Sequence, residues 1–169
     1  HLARAGGHVR AVVINAGSAN ACTGARGHED ALAMARATAE AVGCQVHEVL
    51  VASTGVIGVP LPMDRVLSGI ASAASALSAD PASGRAFLSA IQTTDAFAKE
   101  ASAALGDGSV VAGVAKGAGM IEPNMATMLA AIAIEAALTP AELAAILGPA
   151  ARASFNAVYV DGHPSTNDT

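Results

Sequence analysis

Between Val9 and Val42 the chain passes from a valine- and isoleucine-rich run, through a loop dense in Asn, Ser, Thr and Gly, into a segment whose apolar residues return at helical spacing. A chain that changes period this early is confined to mixed architectures. Val9 to Ala16, closed by Gly17, reads as a strand feeding the loop from Gly17 to Gly27. A helix is expected from His28, with Glu29 and Asp30 in its first turn and Leu32, Ala35, Ala39 and Val42 recurring before Gly43. Val46 to Ser53 reads as a second strand that delivers Thr54 and Gly55 to a turn.

Further along, Leu61, Val66, Ile70, Ala73 and Leu77 fall on one face of a helix from about Met63 to Leu77. Asp80 and Pro81 look like the cap and first residue of another, carrying Phe87, Leu88 and Ile91 inward. Lys99 to Leu105 and Ser109 to Ala115, joined by Gly106-Asp107-Gly108, read as a hairpin. A buried strand from Thr127 to Ile134 is followed by a helix whose Thr139, Pro140 and Glu142 fit a capping box. Phe155 to Asp161 is expected as the last strand, leading into a loop from Gly162 to Thr169. The pattern predicts an α/β or α+β sandwich with at least one antiparallel pair. Hydrophobic residues make up 53% of the chain and aromatics only 2%, so its core must be closely packed from small aliphatic side chains. At 169 residues one domain with a sizeable core is expected.

Charge and cysteine content narrow the partners. A formal net charge of -5 with no Lys/Arg cluster argues against nucleic acid or an anionic membrane surface and favours a small molecule. Cys22 and Cys44 are too few for a disulfide scaffold and are expected reduced and buried, which makes the cytoplasm the default compartment. The apolar run from Met128 to Ile134 is far too short to span a membrane. The five histidines show no i, i+4 pairing with an acidic neighbour, so no metal site is expected. The glycines around Lys116 lack phosphate-loop spacing, and Cys22 has no evident histidine partner.

The chemistry concentrates in Lys116 to Leu129, KGAGMIEPNMATML. A threonine hydroxyl is a weak nucleophile that needs a base within hydrogen-bond reach, and an amino-terminal threonine carries one in its own α-amine, which titrates near neutrality. Breakage between Ala126 and Thr127 would create that arrangement. The Thr127 hydroxyl could itself make the cut by attacking the Ala126 carbonyl, an ester then being hydrolysed by water. Pro123 fixes its own φ and biases Glu122 towards extended geometry just upstream. The same residues equally suit a loop entering a strand, with Thr127 an ordinary β-branched residue.

Taken with four further blocks, this segment resembles the glutamate N-acetyltransferase family, also called the ornithine acetyltransferase family. The blocks are NAGSANACTG from Asn15 to Gly24, ASTGVIGVPLPM from Ala52 to Met63, TTD from Thr93 to Asp95, and FNAVYVDG followed by STNDT at the carboxyl end. They stand in the family's order from about Val12 to Thr169. The resemblance implies a layered sandwich of β-sheets flanked by helices, of the self-cleaving amino-terminal-nucleophile kind, with only part of the full fold present. It further implies an internal fragment of one acyltransferase domain, with residues 1–126 from the α segment and residues 127–169 opening the β segment.

The site implied by the resemblance is Thr127 as nucleophile, the Thr54 hydroxyl and Gly55 amide as an oxyanion hole, and Thr93 and Lys116 as substrate contacts. An oxyanion donor of this kind contributes roughly 3 kcal/mol. Without the family, Thr54 and Gly55 read as a turn, Lys116 as a solvated strand-end lysine and Thr93 as a helix-end polar residue. Thr94 and Asp95 read as structural. Asn15, Ser18, Asn20 and Thr23 suit turn formation as well as a pocket lining, and Asn167 and Asp168 are equally ambiguous. His163-Pro164 stands where members more often carry Asp-Thr. The expected activity is acetyl transfer from N2-acetylornithine to glutamate through acetyl-Thr127, with no metal or bound cofactor and acetyl-CoA as an optional second donor. Association of complementary α and β segments into higher oligomers is implied too. The rivals are an amino-terminal-nucleophile amidase or aminopeptidase of related fold, and an unprocessed non-catalytic fragment.

Overall fold

Short runs rich in β-branched residues, Val12-Val13-Ile14 and Val49-Leu50-Val51, set Ala11–Ser18 (β1) beside Val49–Val56 (β2) as a parallel pair, with Ala11 opposite Val49 and Gly17 opposite Gly55. The computed structural model describes residues 4–124 and 127–165 and divides the chain into two compact units, His1–Ile91 and Gln92–Thr169. In the first unit, β1 and β2 are connected through Gly24–Val42 (α1), whose buried stripe runs through Gly27, Asp30, Met34, Ala35, Thr38 and Ala39. Met34 meets Leu61 and Ile70, while Ala35 and Ala39 meet Val49, with Val13 and Val51 filling in beneath both groups. Ile70 belongs to Met63–Ser75 (α2); Pro81–Ile91 (α3) buries Leu88 and Ile91. The alanines at the contact leave room for the backbones to approach. This is the packing that an aliphatic, aromatic-poor composition requires.

The second unit is built on an antiparallel sheet of order β3-β4-β5, comprising Lys99–Ala104 (β3), Val110–Lys116 (β4) and Leu129–Ile134 (β5). The hairpin joining β3 to β4 closes where expected, with the Leu105 amide donating to the Ser109 carbonyl at 2.8 Å. Pro140–Ala153 (α4) follows β5, and its capping box is complete: Thr139 Oγ1 accepts the Glu142 amide, and a Glu142 carboxylate oxygen accepts the Thr139 amide at 2.8 Å.

Several expectations are corrected. The first helix begins at Gly24 rather than His28, because Asn20 and Thr23 bond each other and Asn20 Nδ2 donates to the Gly27 carbonyl, which folds the loop onto the first turn. Thr54 and Gly55 stand within β2, since β1 continues through Gly17 and Ser18 and keeps pairing with them. Residues 46–48 form a 3-10 turn ahead of that strand. Ala73 and Leu77, expected on the inner face of α2, are exposed: the helix ends at Ser75, short of Leu77, and its buried contact is made by Ile70. β5 is an edge strand with Ala130, Ile132 and Ala133 exposed, not a buried one. No strand forms over Phe155 to Asp161: residues 155–157 make a 3-10 turn, and a single backbone bond, Val160 N–H to the Ile121 carbonyl, stands where a ladder would be. Cys22 is exposed and Cys44 half-buried, and neither is in a disulfide among the described residues.

Candidate active site

The loop between β4 and β5 presents the chemistry of the second unit. Gly117, at φ +148°, follows the last residue of β4, and a Cβ there would lie a tight 3.1 Å from the Thr127 carbonyl oxygen, so both the backbone conformation and the close approach across the loop favour glycine. Thr127 lies two residues before β5 rather than at its head. Its amide donates to the Met120 carbonyl at 2.9 Å. Its hydroxyl oxygen is buried and finds no hydrogen-bond partner among the described residues. An unsatisfied buried hydroxyl costs stability, and such atoms in folded proteins call for a functional or structural account.

Two carboxylates hold this loop. Asp95, whose side chain is wholly buried, accepts the Gly117 amide at 2.8 Å and Lys99 Nζ at 2.6 Å on Oδ1, and the Thr93 amide at 3.3 Å on Oδ2. Burial pushes the Asp95 carboxyl up, but Lys99 and the Gly117 and Thr93 amides outweigh it and hold it below the ordinary carboxylate value. Asp95 therefore ties together the two expected substrate contacts, Thr93 and the turn after Lys116. Lys116 itself is 3% exposed, which removes the reading of a solvated strand-end lysine. Asp161 accepts the Met120 amide at 2.7 Å, the Ile121 amide at 3.1 Å and the His163 amide at 3.3 Å. The Met120 bond, against an opposing push from burial, leads in holding its carboxyl below the usual range; the Ile121 and His163 amides and the nearby His163 ring add to it. An open apolar groove of about 870 Å³ runs from this loop across the sheet, lined by Phe97, Ile121, Met128, Ile132, Phe155 and Val160 among others.

In the first unit Thr54 is 5% exposed, and Gly55 adopts φ +132°. A Cβ on Gly55 would run into the backbone of Gly17 and Ser18, so only glycine fits between the strands here. Asn15 accepts Ser53 Oγ at 2.6 Å and donates to the Ser18 carbonyl at 2.9 Å, so its side chain is engaged in tying the end of β1 to β2. Ala126, Asn167 and Asp168 lie outside the described residues.

Comparison with known proteins decides the family. The family model described as the ArgJ family matches residues 1–169. The chain belongs to the ArgJ family. It is 52% identical over 166 residues to the arginine biosynthesis bifunctional protein ArgJ of Geobacter sulfurreducens, covering 96% of this chain and 42% of that protein. Against the ArgJ of Symbiobacterium thermophilum the identity is 54%, covering 96% and 40%. The chain thus spans roughly two-fifths of the curated ArgJ relatives it matches. Among solved structures it resembles an ornithine acetyltransferase from Mycobacterium tuberculosis complexed with ornithine, at TM-score 0.69 and 39% identity over 78% of this chain and 66% of that one. It also resembles the Bacillus halodurans ArgJ, at TM-score 0.60 and 43% identity over 70% of this chain and 61% of that one. The mixed α/β architecture is that of solved ArgJ proteins. Within this ArgJ-family segment, sequence reasoning left Asp95 as structural and gave Asp161 no role. The TTD and VDG blocks contained both, but nothing local to either aspartate announces donors 22 and 41 residues away.

Proposed function

We propose that this segment carries the nucleophile and oxyanion hole of an acetyltransferase of arginine biosynthesis that is activated by cutting itself between Ala126 and Thr127. The buried Thr127 hydroxyl, without a partner among the described residues and beside a nitrogen already fixed by the Met120 carbonyl, is the observation that carries this reading. Among the described residues that hydroxyl meets no base; after the cut its own amine supplies one. In self-cleavage, Oγ1 adds to the Ala126 carbonyl, the C–N bond breaks as the nitrogen takes up the hydroxyl proton, and water hydrolyses the resulting ester.

In turnover, the Thr127 amine takes the hydroxyl proton as Oγ1 attacks the acetyl carbon of N2-acetylornithine. The Thr54 hydroxyl and Gly55 amide stabilise the negative oxygen. Collapse releases ornithine, whose departing nitrogen takes that proton, and leaves acetyl-Thr127. The amine of glutamate then attacks the ester and regenerates the hydroxyl. Acetyl-CoA can act as a second donor to the same threonine. The chemistry needs neither metal nor bound cofactor. Thr93 and the buried Lys116, grouped by Asp95, hold the amino-acid part of the substrate. The mature protein is an assembly of its α and β segments, working in the cytoplasm.

Intact mass of the full-length protein tests the cut: two pieces divided before Thr127 are expected, and Thr127→Ala should stay whole. Incubation with N2-acetylornithine, with and without glutamate, tests the transfer. Acetate release without acetylglutamate would replace the transferase by an amidase.

A further inference from the structure

Met120 carries a side chain yet sits at φ +58°, in the left-handed region that residues other than glycine rarely occupy. What holds it there comes from the other end of the unit. Asp161 Oδ2 takes the Met120 amide and Oδ1 takes the Ile121 amide, while Val160 donates to the Ile121 carbonyl at 3.0 Å. The carbonyl of Met120 and the amide of Ile121 belong to one planar peptide group and point in opposite directions across it. Asp161 grips the Ile121 edge. The opposite edge is the Met120 oxygen, which accepts the nitrogen of Thr127 at 2.9 Å.

We propose that Asp161 is a positioning residue for Thr127, acting through the Met120–Ile121 peptide group. The proposal rests on the reading of Thr127 as the nucleophile. Before the cut, the clamp fixes the amide whose bond must break. After it, one N–H of the new amine donates to the same Met120 oxygen, which sets rotation about the N–Cα bond and keeps the nitrogen lone pair turned towards Oγ1. Loss of the clamp lets the Met120 backbone relax out of its left-handed conformation, and misplacement of reacting groups by about an ångström costs up to roughly a hundredfold in rate.

The test compares Asp161→Asn, Asp161→Ala, the double variant Asp161→Ala with Met120→Gly, and Thr127→Ala in the full-length protein. Cleavage is followed by intact mass against time, and kcat and KM for N2-acetylornithine are measured on the processed fraction. Asp161→Ala should slow cleavage and lower kcat by about ten- to a hundredfold, with KM changed less than about twofold, because the substrate contacts are untouched. Asp161→Asn, which keeps one acceptor oxygen and loses the other, should fall between Asp161→Ala and the parent protein. Glycine adopts positive φ without a side-chain penalty, so Met120→Gly should restore at least about threefold of what Asp161→Ala loses. A merely structural role predicts no such rescue.

If Thr127→Ala stays uncut while both Asp161 variants cut and turn over normally, the positioning role is overturned and the nucleophile stands. Cleavage in Thr127→Ala would overturn the nucleophile, and the positioning role with it. Should Asp161→Ala fail to fold, Asp161→Asn decides alone: a normal rate, or a loss in which KM rises as far as kcat falls, overturns the proposal.

Discussion

The Thr127 hydroxyl is buried without a partner among the described residues, and removing it should cost little stability while abolishing chemistry. Thr127→Ala is expected to lower acetyl transfer by at least about a thousandfold in full-length protein. Its denaturation midpoint should stay at or above that of the parent, because an unsatisfied polar atom has been taken out of the interior. Gly55 predicts the opposite balance. At φ +132°, with the Gly17 backbone against it, Gly55→Ala must both strain its own backbone and push β1 away, a destabilisation of about 2 to 3 kcal/mol readable by urea denaturation. The sequence marked Thr127 and Gly55 as candidates because their chemistry is visible in the residue types and the matching blocks. It did not mark Asp95 and Asp161, whose roles consist of hydrogen bonds that loop closure alone brings within reach.

Among the elements, α4 illustrates local determination: Thr139, Pro140 and Glu142 fix its start with no help from distant chain. Thr139→Ala should therefore cost about 1 kcal/mol, measured by chemical denaturation, whatever the rest of the molecule does. The junction of β3, β4 and the following loop behaves differently, since Asp95 pins Lys99, Gly117 and Thr93 at once. Its carboxyl is held below the ordinary value in the folded state, so its contribution is present above the unfolded pKa and is lost as pH falls through the folded one. Acid denaturation below about pH 4 should accordingly be shallower in Asp95→Asn than in the parent, with the variant less stable at neutral pH. Equal acid dependence of the two proteins would assign the acid sensitivity elsewhere. The edge position of β5 and the failure of Phe155–Asp161 to become a strand were not legible locally. Apolar runs qualify a segment for a sheet, but pairing partners decide whether it joins one and at which place.

For the whole chain, the described residues leave a wide apolar surface open: Phe97, Tyr159 and Val160 are at least half exposed, and the groove beside the loop is lined almost entirely by carbon. Helix α4 buries none of its residues, and Leu143, Ile146 and Leu147 stand exposed at helical spacing. Exposed apolar surface on this scale marks faces that associate. The isolated 169-residue chain should bind a dye such as ANS and sediment as more than a monomer; absence of both would mean that these faces close over in solution. No helix among the described residues is long and apolar enough to cross a membrane. By itself the sequence determined the helices and hairpin, the aliphatic character of the core, the candidate nucleophile and, through its ordered blocks, the family, because caps, periodicity and residue chemistry act over a few positions. Only the tertiary structure decided that Thr54 and Gly55 lie inside a paired strand, that Lys116 is buried, and that two distant aspartates hold the loop of Thr127. Those facts depend on which segments meet after folding, and that is set by the free energy of packing the whole unit rather than by any stretch of it.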